Sequence, residues 1–405
     1  MRPDFLRGIR FADFTWAGAG PFGTKVFSDF GAEVLKVESM SRPDPVRRGS
    51  PYKDGIPGIN RSGYFASRNT GKKSVAINLK EPEGLQLARD LVAQSDVVSN
   101  NFGPGAMERL GLGYDELKKI KPDIIYLAMP MYGEDGPLSS LLGVGMTISA
   151  VTGLMWMTAY GPNDPVGPGT HYPDHAANPY HAAFAVLAAL RYRRHTGRGM
   201  KIDLSQIEST ANFVGPALVE AAASGREPPQ VGNRSREHAP HNIFRCQGED
   251  SWCAIAVEGD AEWLALAAAM GRQDLAGRAD LRTAQGRLAA IDELEAAVGA
   301  WTAGQTPAEV ASVLQKAGVA AAPVACSKDL IEDDPQLAAR GYWQTLDHPE
   351  IGPALFTAPP YKLDGERIEL KRQPLFGEHT HEILTGVLGL SEERVKELND
   401  RGILG

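Results

Sequence analysis

The chain has 405 residues, a formal net charge of −8 and three cysteines, Cys246, Cys253 and Cys326. That length holds about two or three domains around a sizeable core, and the acidic balance argues against a nucleic-acid partner bound by bulk electrostatics. An odd cysteine count without CxxC pairing suits a reducing compartment, and neither a secretory leader nor an apolar run of membrane-spanning length is present, so a cytoplasmic protein without a membrane partner is expected.

In chain order, residues 9–14 alternate as a strand, 21–30 fit a helix closed by Gly31, and 33–38 read as a second strand. This is a βαβ opening. Between strand and helix, Gly18, Gly20 and Gly23 have G-x-G-x-x-G spacing, and Glu38 stands where a dinucleotide-binding acid would. The lead of Thr15, Trp16 and Ala17 is longer than that fingerprint allows, and a glycine-rich helix opening also admits other anionic ligands. Residues 68–73 (RNTGKK) form a basic turn before a strand at 74–79. No Ser or Thr follows the first lysine, so this is not a Walker A loop, and a phosphate contact and a solvated turn both remain open. A helix at 81–94 and a strand at 96–100 lead to Asn101, Phe102 and Gly103, where an aromatic ring beside an amide suits a purine or plain loop packing. With the strand at 124–129, the alternation implies a parallel sheet.

Residues 167–204 place one carboxylate, Asp174, in a Pro-rich loop ahead of a helix that Asn178 caps and Pro179 opens. The positive end of that helix favours the ionised acid, a workable setting for a nucleophile. On local sequence alone, a turn-forming aspartate is the simpler reading. Metal binding with His171 and His175 is a third, against which Pro173 breaks the helical register. A strand at 200–204 and a capping box of Ser205 and Glu208 follow. The predicted domains are a large Rossmann-like domain at 1–224, a small α+β domain at 225–330, and a return segment at 331–405 whose helices pack on the large domain.

Six ordered blocks then carry a resemblance: AGPFGTKVFSDFGAEVLKVE (19–38), NTGKKSVAINLK (69–80), NNFGPGAMERLGLGYDEL (100–117), YGEDGP (132–137), TGRGMKIDLS (196–205) and PLFGEHTHEIL (374–384). Together they resemble the family III CoA-transferases, a group with formyl-CoA and carnitine CoA-transferases and the related 2-methylacyl-CoA racemases. The resemblance covers nearly the whole chain. It implies an α/β fold, a Rossmann-like domain with a parallel sheet plus a smaller α+β domain, in an interlocked dimer. The partner is another such chain, giving a homodimer, or a heterodimer or heterotetramer with a paralogous subunit. Asp174 matches the family's catalytic aspartate. Gly18, Ala19, Asn69, Lys72, Asn101, Phe102, Gly103 and Arg109 would hold CoA, with Phe102 near the adenine, the basic groups near the phosphates and Gly18 with Ala19 near the thioester.

The implied reaction moves CoA from a donor acyl-CoA to a carboxylic acid through an aspartyl anhydride and an aspartyl-CoA thioester. CoA thioesters are co-substrates, with no metal or other cofactor. Formyl-CoA transferase has a glutamine where this chain has Gly18, and a tyrosine where Val144 stands. With Trp16, Trp156 and Tyr172 expected near the pocket, these departures suggest succinyl-CoA as donor and an aryl dicarboxylate such as benzylsuccinate as acceptor. They equally suit a less active subunit of a heteromer. The alternative is a racemase, which pairs a histidine with the aspartate. The stretch GVGMTISAVTG (143–153) has none, leaving His171 or His175 to serve.

Overall fold

A computed structural model describes residues 5–161 and 163–405. They divide into two compact units: one comprises the chain to Met155, Gly167–Arg226 and Gln336–Gly405, the other Trp156–Val166 and Glu227–Pro335.

In the larger unit, β1 (Arg10–Asp13), β2 (Glu33–Glu38), β3 (Lys73–Ala76), β4 (Val97–Asn100), β5 (Ile125–Ala128) and β6 (Met200–Asp203) form one sheet in the order β3-β2-β1-β4-β5-β6. Every pairing is parallel. Because side chains alternate across a strand, each central strand feeds two cores. Phe11, Val34, Val97, Ile125 and Leu127 pack on α1 (Ala19–Asp29) and on the long helix α5 (Asn178–Thr196). Ala12, Leu35, Val98 and Tyr126 pack on the other face, against α3 (Pro82–Ala93) and the C-terminal helices α6 (Thr380–Gly386) and α7 (Glu392–Asp400). Two shorter helices, α2 (Gly63–Arg68) and α4 (Gly145–Val151), lie in the connections. Strand order reverses between β1 and β4, and a ligand crevice opens at the carboxyl ends of strands at such a switch point.

The smaller unit has an antiparallel sheet, β7 (His241–Arg245), β8 (Trp252–Ala256) and β9 (Ala320–Pro323), over a core built on Trp263, Leu266, Leu294 and Val298. Residues 156–166 are a correction to the predicted domains. The sequence leaves them in the large domain, yet they join this unit, where Gln230 Nε2 donates to the Trp156 carbonyl at 3.2 Å. The return segment adds an unpredicted hairpin to the larger unit, β10 (Trp343–His348) with β11 (Gly352–Thr357). Among the described residues, no helix is long and apolar enough to cross a membrane.

Candidate active site

The loop that leaves β1 is held from below by buried charges. Asp13 accepts from Thr15 Oγ1 at 2.6 Å, Ser99 Oγ at 3.0 Å and Lys72 Nζ at 3.0 Å. Lys36 Nζ sits 2.9 Å from Asp44 and donates to the Thr15 carbonyl at 2.7 Å, while Asp44 accepts from the Ala17 N–H at 2.9 Å. Arg47 grips Glu38 with two bonds of 2.7 Å. Asp13, Lys36, Glu38, Asp44, Arg47 and Lys72 are all 3% exposed or less. Three acids face three bases, so the cluster is neutral, and each charge has the partner that burial demands. One consequence is local: Ala17 is held at φ +63°, and that turn presents Gly18, the residue ahead of α1.

This network corrects three readings from sequence. Glu38 is closed by Arg47 and by Ser74 Oγ at 2.8 Å, so no acid is free for a ribose. Lys72 gives its ammonium protons to Asp13, to the Pro21 carbonyl at 2.9 Å and to Thr24 Oγ1 at 2.7 Å, leaving none for a CoA phosphate. Burial draws its pKa down to about 8, against the attraction of Asp13. Asn69 is likewise fully buried and donates to the Phe65 carbonyl at 2.9 Å, closing α2. Lys72→Met, which strands Asp13 in the core, is expected to cost about 3–5 kcal/mol of stability. A denaturant melt checks this, and a melt unchanged from wild type would refute it.

The other expected CoA residues do gather at the switch point. Asn101 accepts from the Trp16 N–H and donates to the Trp16 carbonyl, both at 2.8 Å, so one side chain ties the exit of β1 to that of β4. The Phe102 ring meets Trp16 edge-on, with centroids 4.9 Å apart. Gly103 follows, with Leu142 so near that a Cβ would lie 2.8 Å from its Cδ2. Arg109 ends a short helix with its guanidinium over Gly105. Ala19 begins α1. Sequence reading missed Arg42, an exposed cation 5.0 Å from the centroid of the Trp16 ring. Only its contact with that ring, which sequence does not display, distinguishes it from its basic neighbours.

Asp174 lies in a π-helical turn, Pro173–Ala177, that runs directly into α5. The predicted cap is therefore corrected: Asn178 is inside the helix, and its side chain pairs with Gln206, 3.1 Å away, and with Ser209. The Asp174 side chain is nearly closed off, at 5% exposure. Two glycines press on it. A Cβ at Gly18 would fall 2.6 Å from Oδ2, and one at Gly145 would fall 3.0 Å from the same oxygen. The Gly145 backbone therefore lies directly against the carboxylate. The predicted preference for the ionised form is also corrected, since burial raises the Asp174 pKa despite His171, the Gly145 N–H and Arg68, which all pull it down.

Val144, beside Gly145, is exposed, and the Tyr172 ring leans edge-on against Phe213 with centroids 6.1 Å apart. Trp156 belongs to the smaller unit and is exposed. His175 is drawn down to about 4 by burial and by Arg68, whose Nη2 meets its Nε2. Among the described residues, no group of three or more His, Cys, Asp or Glu side chains is placed to hold a metal. Sequence reading overlooked Tyr64, from α2, and took Arg68, which closes the same helix, only as part of a basic turn. Nothing in a short helix 106 residues before Asp174 announces that it folds onto that turn.

A buried acid thus lies between two glycine backbones beside the carboxyl ends of a parallel sheet. Residues 6–380 match the model of CoA-transferase family III, and the chain belongs to that family of enzymes. It is 30% identical to the formyl-CoA:oxalate CoA-transferase of Streptomyces coelicolor, with all of both chains covered. It is 33% identical to the succinyl-CoA–L-malate CoA-transferase beta subunit of Chloroflexus aurantiacus, over 98% of each. A probable CoA-transferase of Mycobacterium tuberculosis is 33% identical over 99% of this chain, which spans half of that longer protein. Among solved structures, a CAIB/BAIF family protein from Brucella suis superposes with a TM-score of 0.86 at 28% identity, covering 96% of this chain and all of the other.

Proposed function

We propose that Asp174 is the nucleophile of this CoA-transferase, that succinyl-CoA is the donor, and that the acceptor is an aryl dicarboxylate of the benzylsuccinate type. The observation that carries the reading is the Asp174 carboxylate itself, buried at 5% exposure and in contact with Gly18 and Gly145. Its oxygen attacks the thioester carbonyl, and CoA thiolate leaves an aspartyl-succinyl anhydride. The thiolate then attacks the aspartyl carbonyl, succinate departs with the electron pair of the broken C–O bond, and CoA is held as an aspartyl thioester. The acceptor carboxylate reverses both steps. Each addition places negative charge on a former carbonyl oxygen, and in this scheme the Gly145 backbone beside Asp174 offers its N–H to that charge, an interaction worth about 3–4 kcal/mol per donor in comparable sites. Burial keeps water from an anhydride it would hydrolyse.

In this scheme Trp16, Phe102, Gly103, Arg42 and Arg109 bind CoA, with Gly18 and Ala19 beside the thioester, and CoA thioesters are the only co-substrates required. The designation of the Chloroflexus relative as a beta subunit supports assembly with a second chain, identical or paralogous. The test is incubation with succinyl-CoA alone, followed by peptide mass analysis. A CoA adduct on the peptide that contains Asp174 is expected, and a peptide that stays unmodified would overturn the reading.

A further inference from the structure

We propose that Arg68 binds a second carboxylate on the acyl group, restricting the enzyme to dicarboxylic acids and their mono-CoA thioesters. The inference rests on Asp174 as the reacting residue. Arg68 closes α2, and its Nη2 meets His175 Nε2, one residue from Asp174 in the π-helical turn. Its guanidinium carbon lies 4.8 Å from the Phe22 ring centroid and 5.1 Å from that of Tyr64, so two aromatic rings pack against the fork.

Among the described residues, no carboxylate lies within ion-pair distance of it. The buried arginines Arg47 and Arg287 sit 2.7 Å and 2.8 Å from carboxylates of Glu38 and Asp260. Arg68 bonds instead to Ser67 Oγ at 3.3 Å and to neutral His175, and its Nε is buried without a partner. The Nε of this half-buried side chain is shut off from water, where a donor stays unsatisfied only at a cost, and the planar fork matches a carboxylate. Asp174 acts on it electrostatically while ionised. That charge disappears when Asp174 becomes an anhydride or thioester. At those stages, with the acid still to be held, no anion among the described residues is in ion-pair contact with Arg68, and the far carboxylate of the acid takes that place.

The test compares succinyl-CoA with butyryl-CoA, in which a methyl group replaces the far carboxylate, on the assembled enzyme. The readout is the rate of adduct formation at Asp174. Wild type is expected to favour succinyl-CoA by about 100-fold in kcat/KM, the range of a charge-assisted pair. In Arg68→Met the ratio collapses toward unity, and in Arg68→Lys, which keeps the charge without the fork, it recovers in part. Equal rates in wild type, or an undiminished preference in Arg68→Met, would overturn the assignment. Should Arg68→Met fail to fold, competition on wild type decides: succinate protecting Asp174 no better than butyrate refutes the proposal. No adduct from either thioester would overturn the Asp174 reading and this one with it.

Discussion

Asp174→Ala incubated with succinyl-CoA is expected to keep its unmodified mass, with turnover reduced by about 10⁴-fold or more, as when a covalent nucleophile is removed. A residual rate within tenfold of wild type would mean the acid only positions substrate. The same carboxylate sets a pH dependence. Burial raises its pKa above the ordinary aspartate value, so in wild type the rate of adduct formation falls as pH drops through that raised pKa. Stability runs the other way. The protonated form is the one the fold prefers, so the group's stabilising contribution is complete below the unfolded-state pKa and is lost as pH rises through the folded one. At neutral pH wild type carries that cost, and Asp174→Asn does not. The Asn variant is therefore expected to be inactive yet to melt no lower than wild type at pH 7, with the two melts converging in acid. Function here is bought with stability, as is common for buried reactive groups.

Gly18→Ala is expected to lower kcat by about 100-fold while leaving the melting temperature near that of wild type, because a small displacement of a reacting group is enough for such a loss. The added Cβ would lie 2.6 Å from Asp174 Oδ2, 2.9 Å from Cγ and 3.0 Å from Cβ, so the whole acid side chain must shift, not only its tip. The same geometry explains a departure visible in the sequence. A glutamine at position 18, as in formyl-CoA transferase, has no room beside Asp174 in this arrangement. Steady-state kinetics with succinyl-CoA, together with a melt, tests the point. Activity retained in Gly18→Ala would show that the carboxylate is not held against this backbone.

Much of the larger unit was legible because its signals are local. Strands at residues 33–38 and 97–100 carry paired apolar residues, Val34-Leu35 and Val97-Val98, between helices, and strand-helix alternation of that kind leads to a parallel sheet. That Trp16, Asn101 and Phe102 meet follows from their places just after β1 and β4, whose ends the topology brings together. Lys72 was misread because a basic turn looks the same whether its lysines face water or the core. Asp13, 59 residues earlier, turns this one inward. Asn178 was misread for a similar reason, since Gln206 and Ser209, which occupy its side chain, come from a later helix. The β10–β11 hairpin escaped notice because its outer positions are exposed and its apolar pattern is weak.

By itself, then, the sequence determined the alternation of strands and helices in the larger unit, the family, and the acid on which the proposed chemistry is built. Only the tertiary structure decided which charges are occupied internally, Glu38 and Lys72 among them, and which is left facing the reacting turn, Arg68. The reason is electrostatic. A charged side chain takes its role from the partners within hydrogen-bond reach, and here those partners arrive from segments tens of residues away.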